Sequence, residues 1–181
     1  MASPVRFGVI TVSDRAFRGE YKDEGGPRAE AYLRKHVSSA LDVVMRTVPD
    51  EQEQIEAAIA SLVDAERCAL VVTTGGTGPG PRDVTPEATE AACSRMLPGF
   101  GERMRAHSLQ YTPLAILSRG SAGIRGEAVV VNLPGKPSAV DECLQVILQP
   151  AVHAVRVAGG PRVELAKAET AAIDRLHPDS K

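Results

Sequence analysis

A glycine-rich segment carries the residues of this sequence that are best suited to binding an anion. It reads Thr-Thr-Gly-Gly-Thr-Gly-Pro-Gly-Pro-Arg-Asp-Val-Thr-Pro and spans residues 73–86. Its glycines permit positive φ and a close backbone approach, and successive exposed N–H groups can form a nest for phosphate. A plain Gly-Pro turn has the same composition, so the residues alone leave both interpretations open. The candidate anion-binding residues are Thr74, Gly75, Gly76, Thr77 and Gly78.

Two familiar phosphate loops are excluded by spacing. The segment contains no G-x-x-x-x-G-K-[ST] motif, and the dinucleotide fingerprint fails because its third glycine position is Pro81. A flavodoxin-like FMN loop over Thr74–Thr77 remains conceivable. Such loops follow the first strand of the fold, however, whereas this segment follows the third predicted strand.

Two aspartates near predicted strand ends are candidates for metal binding and catalysis. Asp83 lies two residues before Thr85-Pro86, which resembles an N-cap followed by Pro at the first helical position. Capping therefore does not account for Asp83, although a solvated loop carboxylate would. Asp50, with Glu53 three residues later, resembles a capping box. Both carboxylates could instead hold Mg²⁺ beside a triphosphate.

Other polar residues also follow predicted strands. Ser13 and Asp14 end the first strand, where an ordinary turn is the simpler interpretation. Ser118 ends a later strand, and Asn132 and Gly135 open a second possible anion site before a helix. Ordinary Pro-Gly turn chemistry is at least as common there.

Alternating strand and helix patterns predict the elements that position these residues. The predicted strands are Arg6–Val12, Asp42–Val48, Cys68–Thr73, Leu114–Ser118 and Ala128–Asn132; the predicted helices are Ala29–Val37, Glu51–Ala65, Thr85–Arg95, Gly99–Gln110 and Ser138–Val157, with a kink or an early end at Pro150. This order indicates an α/β fold of three layers, a mostly parallel sheet with helices on both faces. We predict one domain over residues 1–158 and a tail over 159–181, either a short docked helix or frayed.

Composition excludes several classes of protein. The 181 residues carry a formal charge of −2 with no basic stripe, which argues against a nucleic-acid binder. No apolar run is long enough for a membrane span, and no signal-peptide pattern opens the sequence. Three dispersed cysteines without a C-x-x-C pair favour a reduced compartment. We therefore expect a cytoplasmic protein.

Four motifs in order resemble the molybdopterin adenylyltransferase family. They are TTGGTGPGPRDVTPEAT from Thr73, LPGFGERMR from Leu97, LSRGSAGIRG from Leu117 and NLPGKPSAVDECL from Asn132. Ser13-Asp14-Arg15 and Val48-Pro-Asp-Glu51 also match, and the resemblance covers roughly Val5–Val155. The family pattern often has Ser where this chain has Gly25, so a hydroxyl contact from that loop is not expected.

The resemblance implies an activity and a set of site residues. The terminal phosphate of molybdopterin would attack the α-phosphate of ATP in the presence of Mg²⁺, giving adenylylated molybdopterin and pyrophosphate. It further implies a homotrimer and hand-over of the product to a molybdenum-inserting enzyme. By residue, it implies catalysis by Asp50 and Asp83, phosphate binding by the Gly75–Gly78 loop, a ligand contact at Ser13 and Asp14, and a pterin and phosphate pocket at Ser118, Asn132 and Gly135. Because two anionic phosphates must approach each other, we further expect Asp50 and Asp83 to hold Mg²⁺ and Arg82 or Arg119 to neutralise charge.

Three alternatives remain at the level of the sequence. A molybdopterin-binding protein without efficient transfer is the nearest one, and Pro49-Asp50-Glu51 together with the Asp83 run favours the active enzyme. A scaffold role, as in a receptor-clustering protein with related domains, would need linked domains. A flavodoxin-like electron carrier would be yellow when purified.

Overall fold

The computed structural model describes residues 4–166, and six strands form its central sheet. The strands are β1 (Val5–Val12), β2 (Leu41–Val48), β3 (Leu70–Thr74), β4 (Arg95–Met96), β5 (Ala122–Arg125) and β6 (Ala128–Leu133). Their order in the sheet is β2-β1-β3-β6-β5-β4. β2, β1, β3 and β6 run parallel, and β5 is antiparallel to both of its neighbours.

Helices cover both faces of this sheet. They are α1 (Asp14–Phe17), α2 (Gly25–His36), α3 (Gln52–Ala60), α4 (Thr85–Ala92), α5 (Pro98–Ser108) and α6 (Pro137–Val157); a π-helical turn (Ser61–Ala65) extends α3, and a 3₁₀ helix (Pro113–Leu117) follows α5. One apolar core joins the sheet to α2, α5 and α6, and a second joins its other face to α3 and α4. Side chains of β6 alternate between the two cores, as a strand covered on both sides requires. The predicted three-layer α/β fold is therefore confirmed.

The pairing register brings four strand ends to one edge. Val12 of β1 lies opposite Val48 of β2. Thr74 of β3 lies opposite Thr11 on one side and Leu133 of β6 on the other. The loops that leave these strands must therefore converge, which is where open α/β sheets bind ligands.

The region between α4 and β6 differs from the prediction. The predicted strand Leu114–Ser118 is wrong: Pro113 starts a 3₁₀ helix there, and the Thr112 hydroxyl accepts a hydrogen bond from Leu114 N at 3.3 Å. The antiparallel strand is β5 instead, which pattern reading missed because its four residues gain their strand partners only from β4 and β6. The predicted helix Thr85–Arg95 also ends earlier, at Ala92.

One helix is longer than predicted, and another continues through a proline. α2 begins at Gly25 rather than Ala29, because the Asp23 carboxylate accepts a hydrogen bond from Gly26 N at 3.1 Å and supports the first turn. α6 continues through Pro150 to Val157. Buried residues on both sides of Pro150, including Ile147 and Ala151, hold that helix against the sheet.

The first residues of the predicted tail pack against the end of α2. Leu165 is buried and forms an isolated antiparallel bridge with Val37, and Ala166 N donates to His36 O at 2.8 Å. This part is extended rather than helical. The remainder of the predicted tail, residues 167–181, lies outside the described residues. No helix within residues 4–166 combines the length and apolarity that crossing a bilayer requires.

Candidate active site

Asp14 and Asp50 are joined at the carboxyl ends of β1 and β2. Asp14 N donates to Asp50 Oδ2 at 2.7 Å, and Asp50 N donates to Asp14 Oδ1 at 3.1 Å. The predicted capping box at Asp50 is wrong, because α3 begins at Gln52 and Asp50 points to the neighbouring loop instead. Ser13 has a structural role as well, since its hydroxyl accepts from Ala16 N and caps α1.

The two carboxyl groups have opposite pKa shifts. Burial raises the pKa of Asp50 above its ordinary value, and the negative charges of Asp14 and Asp83 raise it further. The backbone N–H of Asp50 and the Arg82 guanidinium lower the pKa of Asp14. Asp83 makes the smallest of these contributions, and a metal site shared by Asp50 and Asp83 stays a prediction.

Arg82 is held over this acidic pair. Its Nη2 donates to both carboxylate oxygens of Asp14, at 3.0 and 2.9 Å, and its Nη1 donates to Glu51 Oε1 at 2.8 Å. The side chain was expected to neutralise phosphate, and here it neutralises carboxylates instead. The carboxylates of Asp14 and Glu51 are thus already paired with one cationic side chain, that of Arg82.

Two residues of the glycine loop have positive φ and leave no space for a side chain. Gly75 has a φ of 103° and Gly76 one of 63°. A Cβ at Gly75 would collide with Val12 O, and one at Gly76 with Thr85 Oγ1. Thr85 is the first residue of α4 rather than its N-cap, and its hydroxyl donates to Gly75 O at 2.9 Å. The loop is therefore fixed against β1 and α4.

Three consecutive amides of this loop are free to bind an anion. Among the described residues, none accepts a hydrogen bond from the backbone N–H of Gly76, Thr77 or Gly78. Thr77 is buried, while Gly76 and Gly78 are partly exposed. Adjacent unpaired N–H groups in such a bend form a concave anion site.

Arg119 fastens the far side of the loop. Its Nε donates to Gly78 O at 2.8 Å, its Nη2 donates to Asp83 O, and its Nη1 pairs with the Glu87 carboxylate. Its backbone N also donates to Thr77 O at 2.8 Å. The sequence suggested Arg119 only as a neutraliser of phosphate, because nothing in the chain order shows that it contacts residues 77–87.

Asp83 is oriented by a tight turn. Gly80 N donates to Asp83 Oδ2 at 2.9 Å, and Asp83 N donates to Gly80 O at 3.0 Å. One carboxylate oxygen is therefore held toward the loop. The other has no protein donor among the described residues.

Two cavities flank the glycine loop. The larger has a volume of about 430 Å³, and its lining includes Thr77, Gly78, Ser108, Ser118, Lys136 and Glu142. The smaller has a volume of about 140 Å³, and its lining includes Ser13, Tyr21, Asp23, Thr74, Gly75 and Gly135. The loop and the turn after β6 thus form a shared wall between them.

Some predicted site residues support this wall from inside. Asn132 is 1% exposed; its Nδ2 donates to Thr73 and Thr89, and its Oδ1 accepts from Ser121 N. The Thr74 hydroxyl donates to Pro134 O at 2.9 Å. Their polar groups are therefore bonded within the protein. The sequence analysis did not identify Asp23, Ser108 and Glu142 as cavity residues. Only Glu142 had a signal in the sequence: it lies one helical turn after Ser138, on a helix that follows a Pro-Gly turn.

The acidic residues fit a divalent cation only together with ligand oxygens. Residues 4–166 contain no group of three or more His, Cys, Asp or Glu side chains arranged to hold a metal. Mg²⁺ in nucleotide enzymes is commonly bound by one or two carboxylates plus phosphate oxygens. Asp50 and Asp83 supply that number of carboxylates, and the Arg82 guanidinium pairs with two others, those of Asp14 and Glu51.

Fold and site together define a three-layer α/β domain with a glycine loop of unpaired amides and carboxylates at one edge of its sheet. Residues 8–154 match the family described as "Probable molybdopterin binding domain", and the chain belongs to that family.

Curated relatives support this membership over most of their length. The chain is 49% identical over 143 residues to a molybdopterin adenylyltransferase of Helicobacter pylori, covering 79% of this chain and 81% of the relative. It is 48% identical over 141 residues to the protein of that name from Escherichia coli K12, covering 78% and 72%.

Solved structures share the fold. The molybdopterin biosynthesis enzyme MoaB of Thermus thermophilus superposes with a TM-score of 0.79 at 40% identity, covering 87% of this chain and 99% of that one. The Mog protein of Mycobacterium ulcerans gives a TM-score of 0.79 at 31% identity, covering 88% and 100%.

Proposed function

We propose that this protein is a nucleotidyltransferase that transfers the adenylyl group of ATP to the terminal phosphate of molybdopterin. The observation that carries the proposal is the position of three free amides, at Gly76–Gly78, beside the linked carboxylates Asp14 and Asp50. Near 48–49% identity to enzymes named for this reaction supports it.

The two cavities suit the two substrates. The larger is mostly apolar, with polar groups at intervals, and has the volume for a fused ring system. We assign it to the pterin, with Ser118 in its wall. The smaller adjoins Ser13 and the acidic pair, and we assign it to the approach of the nucleotide. The wall of Gly75–Gly78 and Gly135 is then where the phosphates meet.

The reaction needs positioning and charge neutralisation more than a base. An oxygen of the molybdopterin phosphate, already ionised, forms a bond to the α-phosphorus of ATP, and the bond from that phosphorus to the β-phosphate oxygen breaks to release pyrophosphate. The loop amides hold the anionic reactants in fixed orientation. Asp50 and Asp83 would hold Mg²⁺, which supplies charge neutralisation at the triphosphate when bound. Arg82 and Lys136 add positive charge at the rim.

We also propose a homotrimer in the cytoplasm that hands its product to a molybdenum-inserting enzyme. An exposed apolar surface supports assembly: Leu114 and Ile116 are each 67% exposed on the 3₁₀ helix. With Tyr111 and Leu117, which are also exposed, they form an apolar patch of the kind that marks protein–protein contacts. Light scattering coupled to size exclusion would give the mass of three chains, and a monomer would remove this part of the proposal.

The central experiment is a reconstitution. Purified protein is mixed with molybdopterin, ATP and Mg²⁺, and pyrophosphate and the adenylylated pterin are sought by mass spectrometry. Asp83→Asn is expected to abolish transfer while molybdopterin still binds. Wild-type turnover in that variant would overturn the assignment of Asp83, and a wild-type protein that binds molybdopterin without transfer would be a binding protein only.

A further inference from the structure

Glu142 is a carboxylate without a protein partner in the wall of the larger cavity. It lies on α6, is partly buried, and is the one acidic residue among those lining this cavity. Within residues 4–166, no side chain or backbone N–H donates a hydrogen bond to it or pairs with it. A carboxylate that lines a cavity and has no protein donor is available to accept hydrogen bonds from a ligand with N–H groups.

Glu142 lines the same cavity as the phosphate loop, further along α6 than the turn that adjoins the loop. α6 starts at Pro137, directly after the Gly135-Lys136 turn that adjoins the glycine loop. Glu142 lies four residues beyond Ser138 on the same helix face, a displacement of about 6 Å along the axis. A ligand with its phosphate at the loop can therefore extend along the cavity toward Glu142.

The cations of the cavity do not neutralise Glu142. Arg105 directs its Nη1 to two carbonyl oxygens, those of Ser118 and Gly120, at 3.2 and 3.0 Å. Lys136 lies before the helix, at the end of the cavity near Gly135. The charge of Lys136 thus lies at the Gly135 end of the cavity, and the single carboxylate lies further along α6.

The hydrogen-bonding edges of the two substrates differ at this point. A pterin carries a 2-amino group next to N3–H, two parallel donors that match both oxygens of a carboxylate. The corresponding edge of adenine places the acceptor N1 beside its amino group, which a carboxylate repels. We propose that Glu142 binds the 2-amino and N3–H groups of the pterin and so determines that this cavity accepts a pterin and rejects adenine. The inference rests on the proposed function, because it takes molybdopterin as the ligand.

Glu142→Gln tests this with little change in shape. The amide places an N–H group against one of the two ligand donors, so molybdopterin should bind roughly tenfold or more weakly. Asp141→Asn is the matched control: its neighbouring carboxylate pairs with Arg28 at 2.6 Å and does not line the cavity. Binding to that control should stay within about twofold of wild type.

Equilibrium binding of molybdopterin is measured without ATP, by fluorescence titration, on wild type and both variants after circular dichroism has verified their fold. A second arm compares the binding of pterin with that of its 2,4-dioxo analogue, lumazine, as competitors of molybdopterin. Wild type should prefer pterin, and Glu142→Gln should lose the preference. Unchanged molybdopterin affinity in Glu142→Gln would overturn the inference. Absence of adenylyl transfer in wild type would instead overturn the proposed function and leave this result standing.

Discussion

Asp14 and Asp50 each accept a hydrogen bond from the backbone N–H of the other, at 3.1 and 2.7 Å. This reciprocal pair joins the loops that follow β1 and β2, and it leaves two carboxylates side by side at the edge where the glycine loop emerges. Burial disfavours the charge on Asp50, whereas Arg82 stabilises the charge on Asp14. Asp50 is therefore the carboxylate that gains most from a second cation.

Replacing Asp50 by Asn should separate function from stability. The amide oxygen of Asn can still accept from Asp14 N, so the loop geometry is retained, while the partly buried negative charge is lost. We expect adenylyl transfer to fall by roughly 10²-fold or more and the melting temperature at pH 7 not to fall. Asp64→Asn, at an exposed pair with Arg125, should leave activity unchanged. Near-normal turnover by Asp50→Asn would remove Asp50 from the mechanism.

Arg82 competes with a divalent cation for the acidic pair. Its guanidinium occupies both oxygens of Asp14, so Arg82→Ala should strengthen the binding of Mg²⁺ or Mn²⁺ to the free protein, measured by calorimetry. Turnover should nevertheless decline, since a positive charge beside the triphosphate is lost. Arg34→Ala, which removes an exposed pair within α2, should change neither quantity. Weaker metal binding in Arg82→Ala would contradict this account.

Gly75 and Gly19 distinguish steric collision from backbone strain alone. Both have positive φ, but a Cβ at Gly75 would collide with Val12 O, whereas one at Gly19 meets nothing within 4 Å. Gly19→Ala should cost about 1 kcal/mol of unfolding free energy. Gly75→Ala should cost more than about 2 kcal/mol and should weaken the binding of ATP. Denaturant unfolding measures both, and equal losses would show that the loop can move away.

The ion pair between Arg119 and Glu87 should make the free energy of unfolding depend on pH. The hydrogen bond from Arg119 holds the pKa of Glu87 below its ordinary value of 4.5. The folded protein therefore binds that proton less readily than the unfolded chain, and the stabilisation is present above 4.5 and is lost as the pH falls through the lowered pKa. Glu87→Gln should be less stable than wild type at pH 7, with a difference that shrinks in acid.

A matched control lies on the same helix. Glu90 is exposed one turn further along α4 and has no partner among the described residues. Glu90→Gln should show no such pH-dependent difference in urea midpoints. If the ion pair between Arg119 and Glu87 does not stabilise the fold, Glu87→Gln and Glu90→Gln should have the same urea midpoint at every pH.

Local pattern was sufficient for much of the fold. Strands β1 and β3 are short, apolar and rich in β-branched residues, and helical spacing follows each of them, so the parallel sheet and its carboxyl edge could be predicted. Local pattern failed at residues 113–125, since Pro113 starts a 3₁₀ helix and β5 depends on partners distant in sequence.

The sequence by itself determined which residue types were available at the strand ends: the glycines, Asp14, Asp50 and Asp83. Only the tertiary structure decided their relations, because hydrogen bonds between loops 36 residues apart, as between Asp14 and Asp50, are set by strand register. For the same reason, the sequence alone suggested a helix cap at Asp50, which the structure shows bonded to Asp14. It likewise suggested a phosphate neutraliser at Arg119, whose guanidinium donates to Asp83 O in the structure. The pKa of Asp50 is a further example, because it is raised by burial, and burial exists only in the folded protein.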